Sequence, residues 1–271
     1  MYNNSFSRTN PGLIVAMIDQ SASMNATNEK GISLAEIAAR SVNNLINEII
    51  LRLTTTNSNE EEIVKRSFKL ILIGHGGSND NAYVILDKWI DEVSESHPIV
   101  KQIINTREGD FEQECIEVLH HIASGKQDLF GAFSMAKEFV FDWISNHNKA
   151  EDPVPCIINV SNDCTPINED IIRIANEITR MKIPDGCPLI INLSVNTNQV
   201  DSNHRISFDS EQSQFLYKVS SPVPSDLDER TINRFGTKKE RLYIEAKEVQ
   251  DLWHFFWALF FHHPCNPYKL R

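Results

Sequence analysis

Three oxygen-bearing side chains stand at alternate positions near the start of the chain, as Asp19, Ser21 and Ser23. Mg²⁺ prefers oxygen ligands and retains several of its waters, so one or two carboxylates with hydroxyl groups are enough for a protein's share of its coordination shell. The Asp-x-Ser-x-Ser motif supplies that chemistry within one turn of chain. It predicts a site for a hard divalent cation, which would be Mg²⁺, Mn²⁺ or Ca²⁺.

Two buried strands would bring this motif and a second polar loop to one edge of a sheet. Leu13 to Ile18 is a continuous apolar run rich in β-branched residues, short enough for a strand buried on both faces. Cys156 to Val160 has the same character and is followed by Asn162 and Asp163. Ligands of parallel sheets bind beyond the carboxyl ends of the strands, so we expect both loops to contribute to one site.

Several further segments accompany the motif. They are Ile73-Gly74-His75-Gly76, Trp143-Ile144, the Pro-led strand before Asp163, and Leu189 to Ser194. With them the sequence resembles, over nearly its whole length, a von Willebrand factor A (VWA) domain of the bacterial cytoplasmic type. The resemblance implies that Ser21 and Ser23 bind a metal through their hydroxyls, and that Asp19 and Asp163 act directly or through water. It also implies an open metal position that takes a partner's carboxylate.

The family's third-loop ligand is replaced in this chain. Where the family has Gly-Gly-Thr-Pro, the sequence reads Gly125-Lys126-Gln127-Asp128, which puts Gln127 at the Thr position. Gln127 could offer a side-chain carbonyl and Asp128 a carboxylate, although Lys126 would oppose a cation. Either residue could equally cap a helix that begins at Leu129.

The loop after the fourth family strand also departs from the pattern. Where Thr-Asp-Gly is usual, the sequence reads Ser161-Asn162-Asp163-Cys164, so the carboxylate is either Asp163 shifted by one position or replaced by Asn162. We expect Asp163 to be the ligand. The alternative is an N-cap or Asx-turn role for Asp163, just as Asp19, Ser21 and Ser23 could merely bond the backbone of a helix-entry loop.

The hydrophobic spacing predicts a doubly wound, Rossmann-like α/β fold with a mainly parallel sheet, one antiparallel edge strand and helices on both faces. Helices are expected from Ser33, with Glu36 completing a capping box, to Leu53, and over Ile116–Ile122, Leu129–Ile144, Asn168–Met181 and Ala246–Phe261. Further strands are expected at Phe68–Ile73, Ala82–Leu86, Leu189–Val195 and Phe215–Val219, with Ala82–Leu86 as the antiparallel edge. The Gly74-His75-Gly76-Gly77 stretch lacks a phosphate-binding pattern and is expected to be a strand-end loop.

No linker or repeat divides the chain, so one domain is expected over residues 1–271, with a flexible N-terminus (1–11) and an irregular insertion (98–127). Residues 246–271 form an aromatic terminal helix and tail in this interpretation, packed in the core or forming a partner surface. The aromatic residues of the segment are Trp253, Phe255, Phe256, Trp257, Phe260 and Phe261. The nearby His262-His263-x-Cys265 pattern lacks a visible fourth zinc ligand and is expected to be a solvated terminus.

Composition limits the classes of partner. The net charge of −11 disfavours nucleic acid and anionic lipid, and favours small cations or basic patches on a partner. The N-terminus lacks the features of a secretory signal, and no apolar run reaches membrane-spanning length, so we expect a cytoplasmic location. Five cysteines without a CxxC pair are expected to be reduced thiols.

The leading hypothesis is a cation-dependent binding module, not an enzyme, whose protein partner presents an acidic residue to the metal. The resemblance further implies a bacterial multi-protein stress, resistance or defence assembly. A metal-free scaffold that binds through its helices and aromatic C-terminus is the alternative. A phosphohydrolase with Asp19 as nucleophile is less favoured, because such enzymes carry Asp-x-Asp and position 21 is Ser. A serine hydrolase lacks its Gly-x-Ser-x-Gly elbow, and nothing indicates an oligomeric state.

Overall fold

The fold is built on a mainly parallel sheet. A computed structural model describes residues 2, 4–28, 31–106, 109–162, 167–195, 210–224 and 240–246. Its strands are β1 (Gly12–Gln20), β2 (Thr54–Thr56), β3 (Glu62–Val64), β4 (Phe68–Gly76), β5 (Asn81–Trp89), β6 (Ile99–Thr106), β7 (Gly109–Ile116), β8 (Cys156–Ser161), β9 (Leu189–Val195) and β10 (Tyr243–Ala246). Six of them form the central sheet in the order β10-β9-β8-β1-β4-β5, and only β5 is antiparallel to its neighbour. The predicted fold class and its antiparallel edge strand are confirmed.

Helices cover both faces of this sheet. They are α1 (Leu34–Leu53), α2 (Ile90–Ser96), α3 (Leu129–Asn146), α4 (Glu169–Ile178) and α5 (Glu211–Val219). Buried residues of α1 and α2 pack on one face, and those of α3, α4 and α5 pack on the other. Among these helices, none is long and apolar enough to cross a membrane.

The central strand β1 is buried on both sides, as its unbroken apolar run predicts. Its odd-numbered residues, such as Val15 and Met17, pack with α3, whereas even-numbered residues such as Ile14 pack with α1. All nine residues of the strand are buried. The buried residues include Asp19. Because side chains of a strand alternate between faces, Asp19 lies on the α3 side of the sheet with Val15 and Met17.

The first helix begins where the sequence predicts. Ser33 is the N-cap of α1, and its hydroxyl accepts a hydrogen bond from the backbone N–H of Glu36 at 3.1 Å. Glu36 itself pairs with Arg40 one turn later, at 2.6 Å. The serine half of the predicted capping box is therefore confirmed.

Some segments of the chain differ from their predicted structure. Phe215–Val219, predicted as a strand, is the second half of α5, which Ser210 caps. The segment 98–127, predicted as irregular, contains the hairpin β6–β7, whose strands pair with each other outside the central sheet. The predicted helix Ile116–Ile122 is not formed, because β7 runs to Ile116 and the residues after it lack regular structure.

The chain after β7 is held by a helix side chain. Asn43 of α1 donates to the carbonyl oxygen of Leu119 at 2.8 Å and accepts from the N–H groups of Val118 and Leu119 at 3.0 and 2.9 Å. Asn43 is only 2% exposed. This buried amide therefore supplies the hydrogen bonds that a helix would have provided to residues 118 and 119.

The N-terminal segment packs against the core, and the described part of the chain ends with β10. Residues 4–10, expected to be flexible, contact the core through Phe6, which is buried with its ring 5.9 Å from that of Phe68. Ala246, the expected start of the terminal helix, ends β10, and the rest of that predicted helix lies outside the described residues. Cys115, Cys156 and Cys187 are free thiols.

Candidate cation site at the end of the central strand

The Asp-x-Ser-x-Ser motif forms one compact turn at the carboxyl end of β1. Asp19 Oδ1 accepts a hydrogen bond from the backbone N–H of Ser21 at 2.9 Å. A short 3-10 turn over Ala22–Asn25 then places the Ser23 hydroxyl 2.8 Å from that of Ser21. Asp19 and Ser21 are buried, and Ser23 is half-buried at the rim. The three predicted residues are therefore brought together with Ser23 nearest to solvent.

The spacing of the two hydroxyls suits neighbouring ligands of one cation. Adjacent oxygens around an octahedral Mg²⁺ are about 3 Å apart when each lies about 2.1 Å from the metal. The Ser21 and Ser23 oxygens are separated by 2.8 Å. Together with the Asp19 carboxylate they offer the hard oxygen donors that Mg²⁺, Mn²⁺ and Ca²⁺ bind, so these residues fit such an ion.

The loop before α3 contributes Gln127 to the same place. Its side-chain nitrogen Nε2 donates a hydrogen bond to Asp19 Oδ2 at 2.6 Å. Gln127, which stands at the family's Thr position, therefore reaches the predicted site, but it presents the donor end of its amide to the carboxylate. A cation would require an oxygen in that position.

Asp128, also predicted as a ligand, has a structural role. Its Oδ1 accepts the backbone N–H of Gly131, which caps α3, and its Oδ2 accepts the N–H of Ala82 in β5, both at 2.9 Å. The capping alternative is thus the one that the structure supports for Asp128. Its contacts fasten the start of α3 to the edge strand.

The fourth loop borders the site through β8, the neighbour of β1. Asn162 follows β8 directly and is 3% exposed. Asp163, the residue that we expect to supply the second carboxylate, lies outside the described residues. Within the described part of the chain, no group of three or more His, Cys, Asp or Glu side chains is placed to hold a metal. In this part of the chain, the proposed oxygen ligands for a cation are the carboxylate of Asp19 and the hydroxyls of Ser21 and Ser23.

Two glycines allow the loops to approach one another. Gly76 has φ +107°, and a Cβ there would lie 2.6 Å from the backbone nitrogen of Ser21. Gly125 has φ +67°, and a Cβ there would lie 2.0 Å from the carbonyl oxygen of Gly77. The sequence suggested a loop at Gly74–Gly77, but β4 continues through Gly76, and the glycine lets it pass against the motif.

His75 lies beneath the candidate site and was not predicted to belong to it. It stands opposite Asp19 in the pairing of β4 with β1 and is completely buried. Burial lowers the pKa of its imidazole, while the Asp19 carboxylate and the Asn159 side chain oppose that shift. His75 is therefore neutral at pH 7. Its position in β4, two residues after Ile73, was the available signal, because both belong to the α3 face.

The lowered pKa of His75 predicts a stability that depends on pH. Since the folded protein binds this proton less readily than the unfolded chain, stability is complete above pH 6.5 and decreases as the pH falls below it. We expect urea unfolding in chelator to show a loss of up to about 1.4 kcal/mol per pH unit from this group. His75→Phe should reduce the loss, whereas His120→Gln, at an exposed histidine, should not. If the free energy of unfolding depended equally on pH in the wild type, His75→Phe and His120→Gln, the pH dependence would not come from His75.

A buried polar layer continues from the site across the sheet. Asn159 Nδ2 donates to Asn192 Oδ1 at 2.9 Å, which joins β8 to β9. Asn192 Nδ2 in turn donates to the Ser220 hydroxyl, also at 2.9 Å, just beyond α5. Asn159 and Asn192 are completely buried. This layer joins β8, which neighbours the central strand, to β9 and to the chain beyond α5.

Comparisons with known structures give distant likenesses. The pilus adhesin SpaC from Lactobacillus rhamnosus GG is 11% identical with a TM-score of 0.46, over 94% of this chain and 31% of that chain. The manganese-loaded TRAP protein of Plasmodium vivax is 9% identical with a TM-score of 0.44, over 94% and 75%. The pilus adhesin RrgA from Streptococcus pneumoniae is 10% identical with a TM-score of 0.32, over 59% and 21%. This chain thus spans about a third of SpaC and a fifth of RrgA. No family model and no curated protein matches the chain.

Proposed function

We propose that this protein is a protein-interaction module of the VWA type, in which a divalent cation connects it to an acidic side chain of a partner protein. Asp19, Ser21 and Ser23 would hold the cation, which is Mg²⁺ or, alternatively, Mn²⁺ or Ca²⁺. Asp163 would add a second carboxylate from the loop after β8. The observation that carries the proposal is the convergence of one buried carboxylate and two closely spaced hydroxyls at the end of the central strand.

The surroundings of Asp19 favour binding over catalysis. A nucleophilic carboxylate must be reached by its substrate. Asp19 is 1% exposed, and its two oxygens accept hydrogen bonds from Ser21 and Gln127. The rim residue Ser23 is more accessible, which suits a cation that completes its shell with a ligand from outside. The motif's resemblance to bacterial cytoplasmic VWA proteins supports a place in a multi-protein stress, resistance or defence assembly.

The proposal predicts that Asp19→Ala loses cation binding. We expect calorimetric titration of Mg²⁺ and Mn²⁺ into the chelator-treated full chain to show saturable binding that weakens at least about 100-fold in Asp19→Ala, because the site's buried charge is removed. Asp142→Ala, at an exposed carboxylate on α3, is the matched control and should bind as the wild type does. Circular dichroism would show that both variants are folded.

Two results would contradict the proposal. The first is equal cation affinity in the wild type and Asp19→Ala, which would place the cation elsewhere. The second is no saturable binding at millimolar metal in either protein. That result would favour a metal-free scaffold, for which the contact between Gln127 and Asp19 is the supporting observation.

A further inference from the structure

We propose that the side-chain amide of Gln127 is an internal substitute for the cation. It occupies Asp19 while no metal is bound and must leave that carboxylate before a cation can bind. This inference rests on the proposed function, since it concerns the same site. Gln127, which stands where the VWA family has Thr, would then regulate cation binding through its contact with Asp19.

The chemistry of the two groups sets the direction of the contact. An ionised carboxylate can only accept hydrogen bonds, so the group that faces Asp19 must be the NH₂ end of the amide and not its oxygen. Nε2 lies 2.6 Å from Oδ2, within hydrogen-bonding distance, and a hydrogen bond to a charged acceptor is stronger than one between neutral groups. The amide hydrogens carry partial positive charge and face the same Asp19 carboxylate that a cation would need. A cation and this amide therefore compete for one carboxylate.

Burial explains why such a substitute is needed. A carboxylate withdrawn from water is costly unless donors replace its hydration. Asp19 is 1% exposed. One of its oxygens has the Ser21 N–H as a donor, and the other has the Gln127 amide. The metal-free site is thus a satisfied arrangement, which a threonine at position 127 could not reproduce with its shorter side chain.

The backbone that carries Gln127 is fixed on both sides. Ser124 N–H donates to the Gln20 carbonyl at 2.9 Å, and the Gly125 carbonyl accepts from Ala22 N–H at 3.0 Å. These bonds join the loop to the end of β1. On the other side, the next residue, Asp128, caps α3 and holds β5. Asp19 can therefore be released by rotation of the Gln127 side chain while the backbone of the loop stays in place.

The competition makes the site respond to two ligands together. A free cation must displace the amide by its contacts with Asp19 and the two serines, so its affinity is reduced by the contact that it breaks. A cation that also binds an acidic group of the partner has an additional ligand and displaces Gln127 more readily. The metal would accordingly bind weakly alone and more tightly with the partner.

Calorimetry and thermal unfolding of Gln127 variants test the inference. In the full chain, Gln127→Ala should bind Mn²⁺ about 10-fold tighter than the wild type, because a hydrogen bond to a charged group no longer competes. The same variant should melt at a lower temperature in chelator, since Asp19 loses a donor. Gln127→Thr restores the family's hydroxyl and should also bind more tightly than the wild type. Gln214→Ala, at an exposed glutamine on α5, should match the wild type in both measurements.

The outcomes separate this inference from the proposed function. Weaker or equal Mn²⁺ binding in Gln127→Ala and Gln127→Thr would identify Gln127 as a ligand or a bystander, and would overturn the inference while leaving the cation-dependent module intact. Absence of binding in the wild type and both variants would overturn both. If Gln127→Ala does not fold, the affinity of Gln127→Thr decides.

Discussion

Gly76→Ala is expected to lower the free energy of unfolding by about 2 to 5 kcal/mol and to abolish the proposed cation binding. Gly76 has φ +107° and ψ −142°, a conformation that residues with a side chain rarely adopt. The added methyl group would also meet the backbone of Ser21 at 2.6 and 2.8 Å. Either the end of β4 or the turn that carries the two hydroxyls must move. Urea unfolding and Mn²⁺ calorimetry would measure the two effects.

Gly31→Ala is a suitable control for that prediction. Gly31 also has a positive φ, of +74°, but among the described residues, apart from its chain neighbours, no atom lies within 4 Å of the position that a Cβ would take. Its substitution should therefore cost only about 1 kcal/mol of conformational strain and should leave cation binding unchanged. If both glycine variants lost the same stability and both bound Mn²⁺, the close contact between Gly76 and Ser21 would not matter for the site.

Asn43→Ala is expected to destabilise the protein by about 3 kcal/mol or more, because it leaves buried backbone groups of Val118 and Leu119 without partners. The loss should be measurable by urea unfolding. Hydrogen exchange should show faster exchange at the amides of these two residues. The chain continues from these residues to Gln127, so we also expect weaker cation binding at the proposed site.

The neighbouring residue provides the control for the asparagine prediction. Asn44 is half-buried on the same helix, and its oxygen lies 3.5 Å from the Cys115 thiol, a weak donor. Asn44→Ala changes helix propensity as Asn43→Ala does, but breaks no bond to the backbone of residues 118 and 119. A loss of similar size in both variants would show that helix propensity, and not the buried amide, is the cause.

Elements with a long or unbroken hydrophobic pattern could be predicted from the sequence. β1 and β9 are short apolar runs buried on both faces, and the periodic pattern of α1 begins at a serine that caps it. The five-residue run Phe215–Val219 could not be assigned in this way, because so short a segment fits a strand and a helix equally well. Only the packing of Phe215, Leu216 and Val219 beside the sheet shows that it is helical.

The sequence was sufficient to predict the main side chains of the candidate site, but not the contacts that these side chains make with distant residues. Asp19, Ser21 and Ser23 are close in sequence, so a local motif was sufficient to group them. The bond from Gln127 to Asp19 joins residues 108 positions apart and depends on the orientation of one amide. His75 was missed because glycines on both sides suggested a loop, whereas β4 continues through them to pack against β1.

The position of β1 in the sheet affects how the chain can fold while it is being made. β1 leaves the ribosome first among the sheet strands, yet it lies between β4 and β8, and β8 begins only at Cys156. At typical rates of synthesis, the edge of β1 that pairs with β8 remains unpaired for on the order of ten seconds, until β8 has been made. During that time an apolar strand edge is available to other nascent chains. Slower translation between β5 and β8 should therefore increase the protein's need for chaperones.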